Sequence, residues 1–254
     1  MLPDYLLNGI AFVLGTILGS FANVCIYRIP RGESILWPAS HCPQCQGAIR
    51  ARDNLPLLSH LWLRGQCRDC GVSISWQYPL VELLTGLTYL LIFRVFGLSL
   101  ASAVYAVLAT ALIIVSFIDL EHQIVPDVIT LPGLALGLLL STLFLPITFL
   151  DALVGALLGG GIFYAIAMIY EGGMGGGDIK LIAMIGAFIG WRQVLLTIFV
   201  AAFIGSLIGG TLMVTKKRKR KDPIPFGPFL ALGAIVALFW GDSLLHWYLS
   251  LRFL

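Results

Sequence analysis

Residues 163–190, FYAIAMIYEGGMGGGDIKLIAMIGAFIG, hold two apolar runs separated by a segment that carries five glycines, a glutamate, an aspartate and a lysine. Apolar runs of about 20 residues have the length that crosses the hydrocarbon core of a membrane. An ionisable residue at the edge of that core, such as Asp178, is energetically unfavourable and points to a function. The stretch therefore predicts a membrane protein with a carboxyl group at the end of a helix, behind a glycine segment.

The amino-acid composition extends this prediction to the whole chain. Of 254 residues, 59% are hydrophobic and 11% are charged, and the mean hydropathy is +0.94. Soluble domains are about 25% charged, so a soluble fold is excluded. We expect an all-α polytopic membrane protein, whose first apolar run is a retained helix because Asp4 is its only early charge. The apolar runs predict about eight transmembrane helices, at residues 5–27, 78–97, 100–118, 128–146, 150–170, 179–191, 193–214 and 227–248.

The positions of lysine and arginine predict the orientation of these helices. With eight spans, the loop at residues 28–77 and the run KKRKRK at residues 216–221 fall on one side of the membrane. Basic loops stay in the cytoplasm, so both termini are expected outside it. The segments that carry Asp119 and Asp178 then leave the membrane at the same, cytoplasmic edge. The basic run is interpreted as a topology anchor in contact with anionic lipid, and no nucleic-acid partner is expected.

Four of the five cysteines lie in the loop at residues 28–77 as two C-x2-C pairs. Four thiolates at this spacing are typical of a closed, structural zinc site. Two disulfides or a redox pair are the alternatives, and a cytoplasmic position argues against disulfides. Cys25 is expected to pack within the first helix, and His41 is superfluous as a ligand. The predicted ligands are Cys42, Cys45, Cys67 and Cys70.

This loop divides the chain into three predicted parts. They are a first transmembrane helix at residues 1–27, a cytoplasmic zinc-binding loop domain at residues 28–77 and a seven-helix membrane domain at residues 78–254.

Two aspartates at helix ends are candidates for general acid–base chemistry. Asp119 ends the third span and faces the negative end of that helix, which disfavours its ionised form. Asp178 begins the sixth span, where the positive helix end and free backbone N–H groups favour a carboxylate. Two carboxyl groups in such different settings are suited to hydrolysis, with Asp178 mainly ionised and Asp119 protonated. A third acid, Asp127, fits the N-cap of the fourth helix.

The residues around Asp178 predict a place for a second polypeptide. Gly175, Gly176 and Gly177 carry no side-chain bulk, so an extended backbone can approach the carboxyl group closely. Lys180 lies two residues after Asp178, and its positive charge favours the ionised form of that aspartate. The segment is therefore interpreted as a slot beside a catalytic acid.

Five blocks of the sequence resemble the bacterial type IV prepilin peptidases, which are bifunctional leader peptidase/N-methyltransferases with a G-x-G-D motif. The opening GSFANVCIYRIPRGES and the cysteine loop leading into ISWQYPLVELLTG are similar to those of the family. The segments FIDLEHQIVPD and GGGDIKL resemble its two active-site segments, and IPFGPFLALG resembles the entry to its last helix. The resemblance covers nearly the whole chain.

The resemblance implies that Asp119 and Asp178 form the catalytic pair and that the four loop cysteines bind the metal. It implies a bacterial inner-membrane enzyme with its active site facing the cytoplasm. The implied substrate is a prepilin or pseudopilin precursor, cut directly after the glycine that ends a short basic leader. The new N-terminal residue is then methylated with S-adenosylmethionine. Pilus assembly and type II secretion both remain open as settings.

The sequence specifies the methyl-transfer site poorly, since no G-x-G-x-x-G follows a predicted strand. Glu82 is a candidate for contact with the cofactor or the new amino terminus, and a locally paired acid is the alternative. Asn23 and Arg28 are weaker candidates for the same contact. The alternative for Asn23 is a helix–helix hydrogen bond, and the alternative for Arg28 is a snorkelling topology anchor. Glu121 and Glu171 are either receptors for a basic leader or solvated loop acids.

Three other functions are each compatible with part of the sequence. A polytopic transporter or scaffold with a structural zinc loop is the alternative, but both acids lie at one face rather than at the midplane. Intramembrane aspartyl proteases of the presenilin group share G-x-G-D but lack the cysteine loop and IPFGPF. A metal-dependent protease needs an open zinc site, which four thiolates do not leave.

Overall fold

The structure is a computed structural model that describes residues 4–170, 174–215 and 224–250. In these ranges the secondary structure is helical, and the only β-type pairing is a pair of isolated bridges in the cysteine loop. Seven of the described helices are long and apolar enough to cross a membrane. The helices are α1 (Asp4–Arg28), α2 (Leu58–Trp62), α3 (Gln77–Phe96), α4 (Leu100–His122), α5 (Asp127–Phe144), α6 (Phe149–Ile169), α7 (Gly176–Val214) and α8 (Gly227–Ser250).

Two predicted features fall outside the described residues. They are Glu171, one of the acids proposed to receive a leader, and the basic run at residues 216–221.

Helix α7 contains both the sixth and the seventh predicted spans. Its 39 residues would reach about 58 Å if straight, roughly twice the hydrocarbon core. The chain instead reverses at Gly190, whose φ of 78° and ψ of 175° are not helical. A Cβ built on Gly159 would lie 3.0 Å from both Ile182 O and Val194 Cγ2, residues that a straight helix separates by about 18 Å. The eight predicted apolar segments are therefore present, two of them as antiparallel legs of α7.

The chain forms two compact units, residues 1–114 and 115–254, whose boundary lies within α4. In the first unit α1 runs antiparallel to α3 along small residues. A Cβ built on Gly15 would lie 2.8 Å from Gly86 Cα, so the two helix backbones are almost in contact. Asn23 Nδ2 donates to the Tyr78 carbonyl at 3.0 Å, which confirms the predicted helix–helix hydrogen bond. Cys25 is buried, as expected for a packing residue.

In the second unit, each leg of α7 packs against a neighbouring helix at a glycine residue. Gly155 of α6 and Gly186 of the first leg touch backbone to backbone, since a Cβ on either would overlap the carbonyl oxygen of the other. A Cβ on Gly233 of α8 would lie 2.6 Å from Thr197 O of the second leg. Van der Waals contact between small residues drives such packing in lipid, where burial of apolar side chains gains little.

The Gly155–Gly186 contact leads to a stability prediction. Gly186→Ala places a methyl group on the backbone of α6, and overpacking of this kind destabilises by about 1–3 kcal/mol. The melting temperature of the detergent-solubilised protein, followed by circular dichroism, is expected to fall. Gly161→Ala is the control, because a Cβ there meets nothing within 4 Å and alanine favours a helix by up to about 1 kcal/mol. Equal melting temperatures for the two variants would contradict the packing described.

Candidate active site and metal site

Asp119 lies three residues before the end of α4 and is 5% exposed. Its Oδ2 accepts a hydrogen bond from the backbone N–H of Gly227 at 2.8 Å. Gly227 is the first residue of α8, where backbone N–H groups have no partner within the helix. A Cβ on Gly227 would itself lie 2.8 Å from the same oxygen, so only glycine brings the amide this close.

Apolar contacts hold the segment that ends at this amide. Ile224 lies 3.3 Å from the position of a Cβ on Gly209, in the second leg of α7. The centroid of the Phe226 ring lies 6.0 Å from that of Phe163 in α6 and 5.9 Å from that of Phe229. These contacts fix the direction in which the Gly227 amide points. The resemblance identified IPFGPF as a motif, but its role as the partner of Asp119 appears only in the structure.

Asp178 is the third residue of α7, in its first turn. Its neighbour Gly177 packs against Val125, in the segment that directly follows α4. The structure therefore brings together the last turn of α4 and the first turn of α7. Because Gly227 occupies Asp119 Oδ2, the proton in a protonated Asp119 would lie on Oδ1. The assignment of Asp178 as the ionised partner stays a prediction.

The three glycines before Asp178 have different surroundings. A Cβ on Gly175 would lie 3.2 Å from Asp178 Oδ2, and one on Gly177 would lie 2.6 Å from Val125 Cβ. A Cβ on Gly176 meets nothing within 4 Å, and this residue is exposed. Gly177 thus permits packing within the protein, whereas Gly176 leaves open surface beside the acid.

Lys180 is bound to Asp127, the first residue of α5. Its Nζ donates to both carboxylate oxygens at 2.7 Å. The prediction of Asp127 as a helix N-cap is wrong, because Pro126 holds that position and no side chain caps the helix. The ion pair directs the carboxylate of Asp127 to α7 instead. Sequence reasoning missed it because the partners lie 53 residues apart.

The four loop cysteines form one cluster, in which all the sulfur atoms lie within 4.8 Å of one another. Cys42 Sγ and Cys70 Sγ are 3.9 Å apart. A tetrahedral zinc ion with bonds of about 2.3 Å needs sulfur separations of about 3.8 Å, so the cluster fits the ion. His41 is not part of it, and its Nδ1 lies 3.1 Å from Ala39 O.

Both cysteine pairs have the same backbone hydrogen bonds. Cys42 N–H donates to Gly47 O at 2.9 Å, and Cys67 N–H donates to Val72 O at 2.8 Å. A backbone hydrogen bond from Cys45 lowers the pKa of the Cys42 thiol to about 7, which favours the thiolate form that binds metal.

An ion pair connects the second cysteine pair to the rest of the loop. Arg68 donates through Nε and Nη2 to the two carboxylate oxygens of Asp53, at 2.8 and 2.6 Å. The hydrogen bond from Arg68 lowers the pKa of Asp53.

The predicted snorkelling role of Arg28 is wrong. Its side chain is 5% exposed and donates to Ser34 O at 2.9 Å and to Pro38 O at 2.7 Å. It therefore folds the chain that follows α1 back onto the helix end. Glu82 is 8% exposed and accepts from the Leu57 N–H at 2.7 Å, which joins the loop to α3.

Comparison with known proteins identifies the family. The sequence model of the bacterial peptidase A24 N-terminal domain matches residues 13–96, and that of the type IV leader peptidase family matches residues 106–210. A Stutzerimonas stutzeri protein named prepilin leader peptidase/N-methyltransferase is 38% identical over 268 residues, covering 94% of this chain and 93% of the relative. The chain belongs to the type IV leader peptidase family.

Other members of the family match over similar lengths. The Pseudomonas aeruginosa relative of the same name is 36% identical and covers 98% of both chains. That of Bacillus subtilis is also 36% identical and covers 95% of this chain and 98% of its own. No solved structure matches the chain significantly.

The cysteine cluster leads to a prediction about metal content. Cys45→Ser removes one of four thiolates, and the bound zinc is expected to fall from about one equivalent per chain to a small fraction of that value. Inductively coupled plasma mass spectrometry of the purified protein, after washing with a chelator, measures the change. Cys25→Ala is the control, since this thiol is buried in α1 away from the cluster. Full metal content in Cys45→Ser would exclude a four-thiolate site.

Proposed function

We propose that the chain is a membrane aspartyl endopeptidase that removes the short basic leader of type IV prepilins or pseudopilins, directly after a glycine, at the cytoplasmic membrane face. We further propose that it methylates the new amino terminus with S-adenosylmethionine. The observation that carries the peptidase proposal is that Asp119 and Asp178 lie at two helix ends that meet within one unit, where Gly177 packs against Val125. The names of the relatives support both activities.

The carboxyl pair can hydrolyse a peptide bond by general acid–base catalysis. The ionised carboxylate takes a proton from water, whose oxygen attacks the peptide carbon, while the protonated partner donates a hydrogen bond to the carbonyl oxygen. When the C–N bond breaks, its electron pair stays on nitrogen, which takes up a proton. The Gly227 amide holds Asp119 in a fixed orientation throughout.

The surroundings of the pair support a membrane-bound substrate. Exposed Gly176 leaves space for an extended backbone next to Asp178. Glu121, at the end of α4, has an exposed carboxylate that can attract a basic leader. A hydrophobic helix following the leader would remain in the bilayer beside the spans of the enzyme.

We propose that the cysteine cluster holds zinc in a structural role, because four thiolates saturate a tetrahedral ion. The enzyme is placed in the bacterial inner membrane, with the cluster and both aspartates facing the cytoplasm. The transporter or scaffold alternative remains distinguishable, since it requires neither cleavage nor methyl transfer.

The first prediction of this proposal concerns the two acids. Asp119→Asn and Asp178→Asn each keep the shape of the side chain but remove its acid–base function, so cleavage of a basic-leader prepilin is expected to fall by about 10²-fold or more. Mass spectrometry of the released product measures the rate in detergent. Methyl transfer to a pre-cleaved substrate is expected to persist.

Asp151→Asn is the matched control for these variants. Asp151 also occupies the third position after an N-cap, in α6, where it forms a capping box with Thr148. Near-normal cleavage by either Asp119→Asn or Asp178→Asn would exclude the proposed pair. Wild-type protein that neither cleaves nor methylates would favour the transporter.

The second prediction separates the roles of two adjacent glycines. Gly177→Ala pushes against Val125 and displaces Asp178, so kcat is expected to fall about 10²-fold. The methyl group of Gly176→Ala touches no protein atom and would narrow only the substrate path. KM is therefore expected to rise, while the melting temperature stays unchanged. Steady-state cleavage kinetics measure both. Identical kinetics for the Gly176 variant and the wild type would exclude a substrate backbone at that position.

A further inference from the structure

The first unit contains a cavity of about 410 Å³ between the cysteine loop and the facing ends of α1 and α3. This size is within the usual range of small-molecule sites, about 300–1,000 Å³. Its wall carries three buried polar side chains, Asn23, Arg28 and Glu82, together with His60 and two tyrosines, Tyr27 and Tyr78. The peptidase chemistry uses none of these groups, because both aspartates belong to the second unit.

Glu82 and Arg28 place opposite charges in this cavity without pairing with each other. Glu82 accepts a hydrogen bond from the Leu57 N–H, which is a neutral donor. Arg28 uses two of its five N–H groups for backbone carbonyls. Within residues 4–170, 174–215 and 224–250, no lysine or arginine forms an ion pair with Glu82. Buried charges normally have a charged partner, so a ligand with charges of both signs fits this wall.

His60 supplies a second, independent indication of a ligand. Its Nδ1 is buried and has no hydrogen-bond partner among the residues that the structure describes. Its ring is fixed by Trp76, with centroids 4.8 Å apart, and a Cβ on Gly65 would lie 3.2 Å from its Nε2. Buried polar atoms nearly always have a partner, and His60 lines the cavity, so a bound ligand that reaches this nitrogen would give it one.

We propose that this cavity binds the methyl donor, a sulfonium nucleoside with an amino-acid end, and that Glu82 faces its positive charge. The proposal rests on the N-methyltransferase part of the proposed function. Arg28 has unused N–H groups for the donor's carboxylate, and His60 Nδ1 accepts a hydrogen bond from an N–H of the ligand. Tyr27 and Tyr78 line the cavity and are aromatic groups of the kind that pack against a purine.

The residues of the cavity suit the charge changes of methyl transfer. The donor supplies an electrophilic methyl carbon: the amine lone pair forms the N–C bond, and the C–S electron pair leaves with sulfur as a neutral thioether. The attacking nitrogen gains the positive charge and releases a proton to solvent. Glu82 is thus a binding residue that stabilises a cation before and after the transfer.

Equilibrium binding tests this assignment without relying on turnover. Isothermal titration calorimetry on the full-length, metal-loaded protein in detergent would compare S-adenosylmethionine with S-adenosylhomocysteine, its neutral thioether product. In Glu82→Gln, affinity for the sulfonium is expected to fall about tenfold or more, since a charge-assisted contact is lost. Affinity for the thioether is expected to change much less. Glu33→Gln, at an exposed glutamate of the same unit, is the control.

Melting temperature and metal content show whether Glu82→Gln is folded. If it is folded and binds the sulfonium as tightly as the wild type, the cavity assignment is wrong while the methyltransferase function stands. If the variant does not fold, ultraviolet cross-linking of radiolabelled S-adenosylmethionine to the wild type decides. Labelled peptides from residues 20–82 support the proposal, and labelling confined to residues 115–254 overturns it. Wild-type protein that neither binds the donor nor methylates would overturn the N-methyltransferase function itself, and this assignment with it.

Discussion

The hydrogen bond from Gly227 to Asp119 is the constraint on which the candidate active site depends. A carboxyl group at the edge of a membrane helix needs a partner, because hydrocarbon offers none. The partner here is a backbone amide at the start of α8, which only glycine can bring so near. The ring contact between Phe226 and Phe163 then connects this amide to α6, and the contact of Ile224 with Gly209 connects it to α7. The orientation of one acid is therefore set by the packing of several helices.

Glycines also lie at the close contacts between helices. Gly15 and Gly86 in the first unit, and Gly155 and Gly186 in the second, bring backbone atoms into contact. Around Asp178, however, glycines serve two purposes. Gly177 permits contact with Val125, while Gly176 faces open space. The run of three glycines thus joins a packing requirement to a functional one.

Much of this architecture could be predicted because it depends on local sequence. Hydropathy located the membrane helices to within a few residues, and the C-x2-C spacing located the sulfur cluster. The Asp127–Lys180 ion pair, the inward turn of Arg28 and the amide at Asp119 could not be predicted, because each depends on which distant segments meet. Helix α7 shows the limit clearly. Apolar runs marked both of its legs, but only the φ of Gly190 shows that one uninterrupted run of residues turns back on itself.

The first leg of α7 is short, and this has a consequence for how water and substrate meet. From Gly176 to Ile189 it has 14 residues, which rise about 21 Å. The hydrocarbon core is about 30 Å thick. Trp191 and Arg192 follow the reversal, as interfacial anchors at one surface of the bilayer. Measured from that surface, Asp178 lies several ångströms below the opposite one. A span this short is matched by local thinning of the bilayer. The hydrolysis proposed above would then take place in a depression of the membrane surface that water can reach.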